Sequence, residues 1–202
     1  MMKDDRDVLL KALEFHGHRC WASAVGVRIG LAAVAALGVE RSGGSQLVAA
    51  VEIGEKHGAM CFADGIQYST GCTFGKGNLT KTHEGKLAVT LTEAATGRSV
   101  RVTYRPVLQA QIAASAFMQQ RSRGVPPTAI PEADQWEMVD LVWNADAADV
   151  MTLGPIENGN PVDTTELVAF AVCPVCEELV AEPYLRFVID TAMCRSCSGY
   201  DV

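Results

Sequence analysis

The chain has 202 residues, 49% of them hydrophobic and 20% charged, a balance that suits a globular protein and excludes a disordered polyelectrolyte. Its length allows one sizeable core and a small appended module. A formal net charge of −7 argues against a nonspecific nucleic-acid partner, because polyanion binding needs a basic excess or a clustered basic face.

The opening MMKDDRDVLLKALEF has neither a basic leader nor an apolar core, so no signal peptide is expected. Asp4 to Phe15 places Val8, Leu9, Ala12 and Leu13 at helical spacing and predicts a short amphipathic helix. A longer helix is predicted from Ala22 to Leu37, with Gly38 placed to stop it. The apolar run around it, Cys20 to Gly38, contains Arg28 and is too short for a membrane span, so a buried helix is expected and no membrane partner. Leu47 to Ile53 reads as a strand, Phe62 to Ser69 as a short helix, and Gly71 to Asn78 as a tight, glycine-rich loop. Lys86 to Thr92 and Ser99 to Tyr104 alternate apolar and polar residues and predict a hairpin across Thr96-Gly97-Arg98. Val107 to Arg121 reads as a helix, Gly124-Val125-Pro126-Pro127 as an interruption, and Ala133 to Asn144 as a further helix. Gly154-Pro155 and Gly159-Asn160-Pro161 mark a turn-rich segment, after which Leu167 to Val172 and Tyr184 to Ile189 are β-like.

Those last two segments flank four cysteines. Cys173-Pro174-Val175-Cys176 and Cys194-Arg195-Ser196-Cys197 are separated by seventeen residues, the spacing of a four-cysteine zinc ribbon in which two tight knuckles close one tetrahedron. Two disulfides are the other reading of the same residues, and the paired knuckles favour metal. A closed four-thiolate site has no open coordination position, so it serves folding or interaction. The ribbon module is expected to occupy residues 163–202, following a core domain of residues 1–162. Leu179, Val180, Tyr184, Leu185, Phe187 and Val188 give this module more apolar surface than one knuckle hides, which points to a homodimer or to packing on its own core.

The other three cysteines lie in the first eighty residues. In Phe15-His16-Gly17-His18-Arg19-Cys20, an extended chain would turn His16, His18 and Cys20 to one side, and imidazole and thiolate both bind zinc or iron. The alternative is a helix-capping histidine beside a buried, inert Cys20. Met60-Cys61-Phe62-Ala63-Asp64-Gly65-Ile66-Gln67 and Thr70-Gly71-Cys72-Thr73-Phe74-Gly75-Lys76-Gly77-Asn78 form the second constellation. Its glycines suit close backbone approach to a ligand, but the frame of a phosphate-binding P-loop is missing. Cys61 and Cys72 read either as ends of a short helix and loop facing one pocket or as buried thiols.

FHGHRC, the stretch C-x-x-D-x-I-Q and TGCTFGKGNL, in that order, resemble the FmdE family, named for a component of molybdenum or tungsten formylmethanofuran dehydrogenase. The resemblance runs from about Phe15 to Leu91, and the C-terminal ribbon is similar to a zinc module that many members carry. It implies an α+β core domain with a His/Cys metal site in an often dimeric cytoplasmic protein. The positions it carries over are His16, His18, Cys20, Cys61, Asp64, Cys72, Thr73, Lys76 and Asn78. One departure is Trp21-Ala22, where members commonly have Pro-Gly after the cysteine. The added bulk is expected to reshape the pocket.

The resulting expectation is an α+β fold, a mixed α/β core domain followed by a small four-cysteine ribbon, in a reducing cytoplasm. Core metal candidates are His16, His18, Cys20, Cys61 and Cys72, holding zinc or iron, with His16 alternatively orienting His18. Ribbon candidates are Cys173, Cys176, Cys194 and Cys197, holding zinc. Catalytic candidates are His18, Cys20, Asp64 and Lys76, and candidates for binding a cofactor or an unidentified small molecule are Thr73, Gly75, Lys76 and Asn78. Two functions fit: a metal-dependent or redox enzyme, and an accessory or metal-delivery protein whose partner belongs to an oxidoreductase complex.

Overall fold

A computed structural model describes residues 3–55, 60–164 and 168–200. It forms two compact units, residues 1–163 and 164–202, within a mixed α/β protein. In the first unit, α1 (Lys3–His16) and α2 (Trp21–Leu37) lead into β1 (Leu47–Val51), α3 (Cys61–Thr70) and β2 (Leu79–Lys81). Next come β3 (Ala88–Glu93), β4 (Arg98–Tyr104), α4 (Gln109–Ala114), α5 (Ala116–Ser122), α6 (Glu132–Asn144), α7 (Ala147–Val150) and β5 (Met151–Asn158). The five strands make one sheet in the order β2-β1-β3-β4-β5, antiparallel except for the parallel pair β1 and β2 that α3 connects. The alternating residues Leu47, Ala49 and Val51 of β1, with Val89 and Leu91 of β3, join the buried core.

The central helix is α2, whose small residues let neighbours approach closely. A Cβ on Gly26 would overlap the Phe62 carbonyl, and one on Gly65 would overlap the Ser23 carbonyl. One turn further along, Gly30 meets Ser69 and Thr70, so the contacts advance in the same direction on both helices and α2 and α3 run alongside each other in parallel. Parallel packing brings their N-termini together, with Cys20 as the N-cap of α2 and Cys61 as the first residue of α3. Gly26→Ala would force backbone apart, at a cost of about 1–3 kcal/mol as overpacking. Thermal unfolding should show that loss together with weaker core-site metal retention. A fully stable variant would show that the helices do not depend on this approach. Arg28, the charge within the apolar run, donates to the carbonyls of Val142 and Ala145 at 2.6 and 2.8 Å and so closes the end of α6. Among the described residues no helix is long and apolar enough to cross a membrane.

Three segments depart from the pattern expected of the sequence. The helix expected over Val107–Arg121 is broken at Ser115, whose extended backbone ends α4 and whose hydroxyl accepts the Met118 N–H to start α5. The segment containing Gly154-Pro155, expected as turns, is instead the edge strand β5. Val100 pairs with Ile156 and Val102 with Leu153, so Gly154 and Pro155 form a bulge in β5 opposite Arg101, and a proline is tolerated at such a bulge on an edge strand. The third is β2, a strand of three residues directly after the glycine-rich loop, in a stretch for which the sequence predicts no element.

The second unit is built from two short hairpins, β6 (Phe170–Val172) with β7 (Leu179–Ala181) and β8 (Arg186–Val188) with β9 (Thr191–Met193), followed by α8 (Arg195–Ser198). Leu167, the start of the first expected flank, lies outside the described residues. Cys173 directly follows β6 and Cys194 directly follows β9, so each hairpin delivers one pair of cysteines.

Candidate metal centre and its cavity

In the second unit one sulfur from each of Cys173, Cys176, Cys194 and Cys197 lies within 4.8 Å of the others, and all seven cysteines of the chain are free thiols. Backbone N–H groups already point at this cluster, from Cys194 to the Cys173 sulfur and from Cys197 to the Cys194 sulfur, each at 3.4 Å. The N–H of Cys194 leads in drawing the Cys173 thiol down to about 6, whereas the neighbouring Cys194 sulfur leads in pushing Cys197 up to about 12. Four thiolates cannot crowd together without a cation between them. The arrangement is consistent with the zinc ribbon that the spacing predicts.

In the first unit α1 ends at His16, and Gly17 turns the chain with φ 91°, a left-handed conformation that a side chain would strain. The chain then enters α2 at Cys20, so His16 and Cys20 come together through a turn and not through an extended strand. His16, Cys20 and Cys61 form the second group whose ligand atoms lie within 4.8 Å of one another. Both sulfurs sit at helix N-termini, where the helix dipole favours thiolate.

The His16 ring is committed at one nitrogen only. Its Nδ1 contacts Asp64 Oδ2 at 2.7 Å, while Nε2 is buried with no hydrogen-bond partner. Histidine ligands of metal sites are commonly oriented by such a carboxylate pairing, and it leaves Nε2 without a protein partner. Asp64, first, and the Cys61 sulfur push the His16 imidazole up to about 9. The Cys20 thiol and then His16 pull Cys61 down to about 4, and the thiolate so formed, with burial, holds Cys20 well above the usual thiol range. A metal-free site at neutral pH thus contains one thiolate, one thiol and one imidazolium, so a cation must displace protons from His16 and Cys20 to bind there. Asp64→Asn should weaken metal binding here about 10- to 100-fold by loosening His16, as read by chelator competition, with the fold intact. Unchanged affinity would remove Asp64 from the site.

The remaining sequence candidates lie elsewhere. His18 packs against His16 with ring centres 4.3 Å apart and the planes tilted by 42°, it is not among the grouped ligands, and burial lowers its affinity for a proton. Cys72 is fully buried in the hydrophobic core, where burial pushes its thiol up, and it is also outside the group. Lys76 donates to the Gly71 carbonyl. Asn78 accepts the Thr73 N–H at 2.9 Å and donates to the carbonyls of Leu47 and Gly44, so it ties the glycine loop to β1. Gly75 borders open space.

A cavity of about 690 Å³ opens against His16, Cys61 and Asp64. Ile53, Met60, Phe74, Lys81 and His83 also line it, residues that carried no functional expectation. The alternation of Lys81 and His83 just after the Gly-Asn-Leu motif is the sequence signal that could have found two of them. Trp21, expected to crowd this pocket, lines a separate cavity and packs its ring 6.0 Å from Tyr104.

Residues 15–152 match the family model described as FmdE, molybdenum formylmethanofuran dehydrogenase operon. A probable S-adenosyl-L-methionine-binding protein of Archaeoglobus fulgidus is 40% identical over 99 residues, which cover 47% of this chain and 26% of that protein. The match therefore spans about a quarter of that relative's length. The crystal structure of a tungsten formylmethanofuran dehydrogenase FmdE-like protein from Syntrophus aciditrophicus superposes with a TM-score of 0.58 at 22% identity, over 96% of this chain and 92% of that one. That likeness is one of fold.

Proposed function

The chain belongs to the FmdE family, which its residues 15–152 match, and from that premise we propose that it binds zinc or iron through His16, Cys20 and Cys61 beside a small-molecule cavity. The observation that carries this reading is the His16 ring, held by Asp64 at Nδ1 and bare and buried at Nε2. Three protein ligands leave a coordination position open, as catalytic metal sites do. Bound there, the metal would supply Lewis-acid polarisation of a substrate group. Asp64 fixes the His16 tautomer, the helix termini favour the two thiolates, and the burial of Cys20 keeps bulk water from that side.

Cobalt(II) loaded into the core site tests this directly. Azide should alter the visible absorption of the bound cobalt, because an open position accepts it, and an unresponsive spectrum would mean a closed site. His18 is assigned a supporting position against His16, and Cys72 a place in the core. Lys76, Thr73, Gly75 and Asn78 shape the neighbouring loop.

The family description, with its reference to an operon, favours a second reading in which the chain is an accessory or metal-delivery component of an oxidoreductase complex. Transfer of the core metal to an apo-partner would separate this from catalysis. The ribbon of residues 163–202 is assigned a structural zinc ion and an interaction role in a reducing cytoplasm. Leu179 and Phe187, 69% and 72% exposed, support pairing of two copies. A monomer mass by light scattering at micromolar concentration would reject that pairing.

A further inference from the structure

The cavity beside Cys61 lies where the parallel strands end: Ile53 follows β1, Lys81 closes β2, and His83 comes just after it. Ligands of α/β layers gather at the carboxyl ends of such strands. The wall has two characters. Ile53, Met60, Phe74 and Leu79 make it apolar on one part, and Phe74 is 83% exposed, a large ring left out of the core at the cavity. Lys81 and His83 supply the other part, and neither side chain makes a hydrogen bond or ion pair among the described residues.

His83 reaches that position with φ 63°, a left-handed backbone that is costly for a residue bearing a Cβ. Asp64, the carboxylate among the lining residues, is already committed to His16 and Gln67. The cation of the adjacent glycine loop, Lys76, is used on the Gly71 carbonyl, so that loop offers the cavity no ammonium. An ammonium and an imidazole that have no partners among the described residues, beside an apolar wall, complement one negative charge carried on an apolar body.

We propose that this cavity takes a small organic carboxylate with an apolar or aromatic body, its carboxylate on Lys81 and His83 and its body against Ile53, Met60 and Phe74. This names the substrate class of the metal-site reading and rests on it for the chemistry that follows binding. One lysine and one histidine match a singly charged carboxylate. A phosphate ester would call for an arginine fork or a cradle of backbone amides, and the lining contains no arginine.

Calorimetric titration of the full-length, zinc-loaded chain with phenylacetate and with phenylacetamide tests the proposal, with metal counted in the same sample. The acid should bind about tenfold or more tightly than the neutral amide. Lys81→Met should reduce that preference to about threefold or less without changing metal content or amide binding, and Lys81→Arg should keep it. Equal binding of acid and amide, no binding of phenylacetate, or a preference unaltered by Lys81→Met would each overturn the proposal. Absence of core metal from the unsubstituted chain would overturn the metal reading alone, since the acid-to-amide ratio on that sample still decides what the cavity selects.

Discussion

Cys61→Ser should empty the core metal site while the ribbon keeps its metal. A four-ligand structural zinc site is worth about 10–16 kcal/mol, so one thiolate contributes roughly 3 kcal/mol and its loss costs about two orders of magnitude in affinity. Cys20→Ser should act equally strongly, because its sulfur belongs to the same group of three and is buried at the start of α2. Both effects should equal or exceed the roughly 10- to 100-fold loss expected for Asp64, which acts through His16. Cys72→Ser should leave metal content unchanged, since that thiol lies in the core. Acid should act in the same direction as the cysteine variants. Cys61 is a thiolate down to about pH 4, but His16 holds a proton up to about pH 9 and Cys20 is held above the usual thiol range, so binding must displace both protons. Affinity should therefore rise with pH toward about 9 and fall as pH drops, by up to about a hundredfold per unit. Competition with a chelator across that range would read the slope. A pH-independent affinity would contradict the assigned ligands.

The second large effect is expected in the ribbon. Cys173→Ser with Cys176→Ser should remove its metal and unfold residues 164–202, leaving residues 1–163 folded with the core metal in place. A unit of that size buries too little apolar surface to fold without a staple, and it leaves Phe187 and Ile189 largely exposed, so a bound ion is expected to supply most of its stability. Limited proteolysis should then cut within residues 164–202 and spare the rest. Loss of both metals in the double variant would contradict the independence of the two sites. A protease-resistant C-terminal unit without metal would show that its stability comes from elsewhere.

Legibility in the sequence followed the length and regularity of each signal. The small-residue run of α2 and the two C-x-x-C knuckles are strong local patterns, and the structure contains both the helix and the four-cysteine cluster. Elements set by tertiary contacts were harder to read. A strand as short as Leu79–Lys81 carries no periodicity of its own and exists because β1 offers it an edge. Gly154 and Pro155 read as a turn because their tolerance in β5 depends on the bulge that they form opposite Arg101. Ser115 interrupts a helical pattern by capping the helix that follows. In the site, the motif drew attention to His16, Cys20 and Cys61 without showing how they meet. The two-residue alternation that grouped His16, His18 and Cys20 presumes an extended chain, whereas Gly17 turns it, leaving the His18 ring packed at a tilt against His16. The pairing of Cys20 with Cys61 depends on glycines at the α2–α3 contact, Gly26 and Gly65, which are far apart in sequence but adjacent in space, a relation that spacing alone does not reveal.

The central claim is that two cysteines and one histidine hold a metal with a position to spare. X-ray absorption at the zinc edge, recorded on the Cys173→Ser/Cys176→Ser chain loaded with one equivalent of zinc, isolates the core site. The account predicts two sulfur neighbours at about 2.3 Å, one imidazole nitrogen at about 2.0–2.1 Å and one further light atom. A site with three or four sulfur neighbours, or with none, would contradict it.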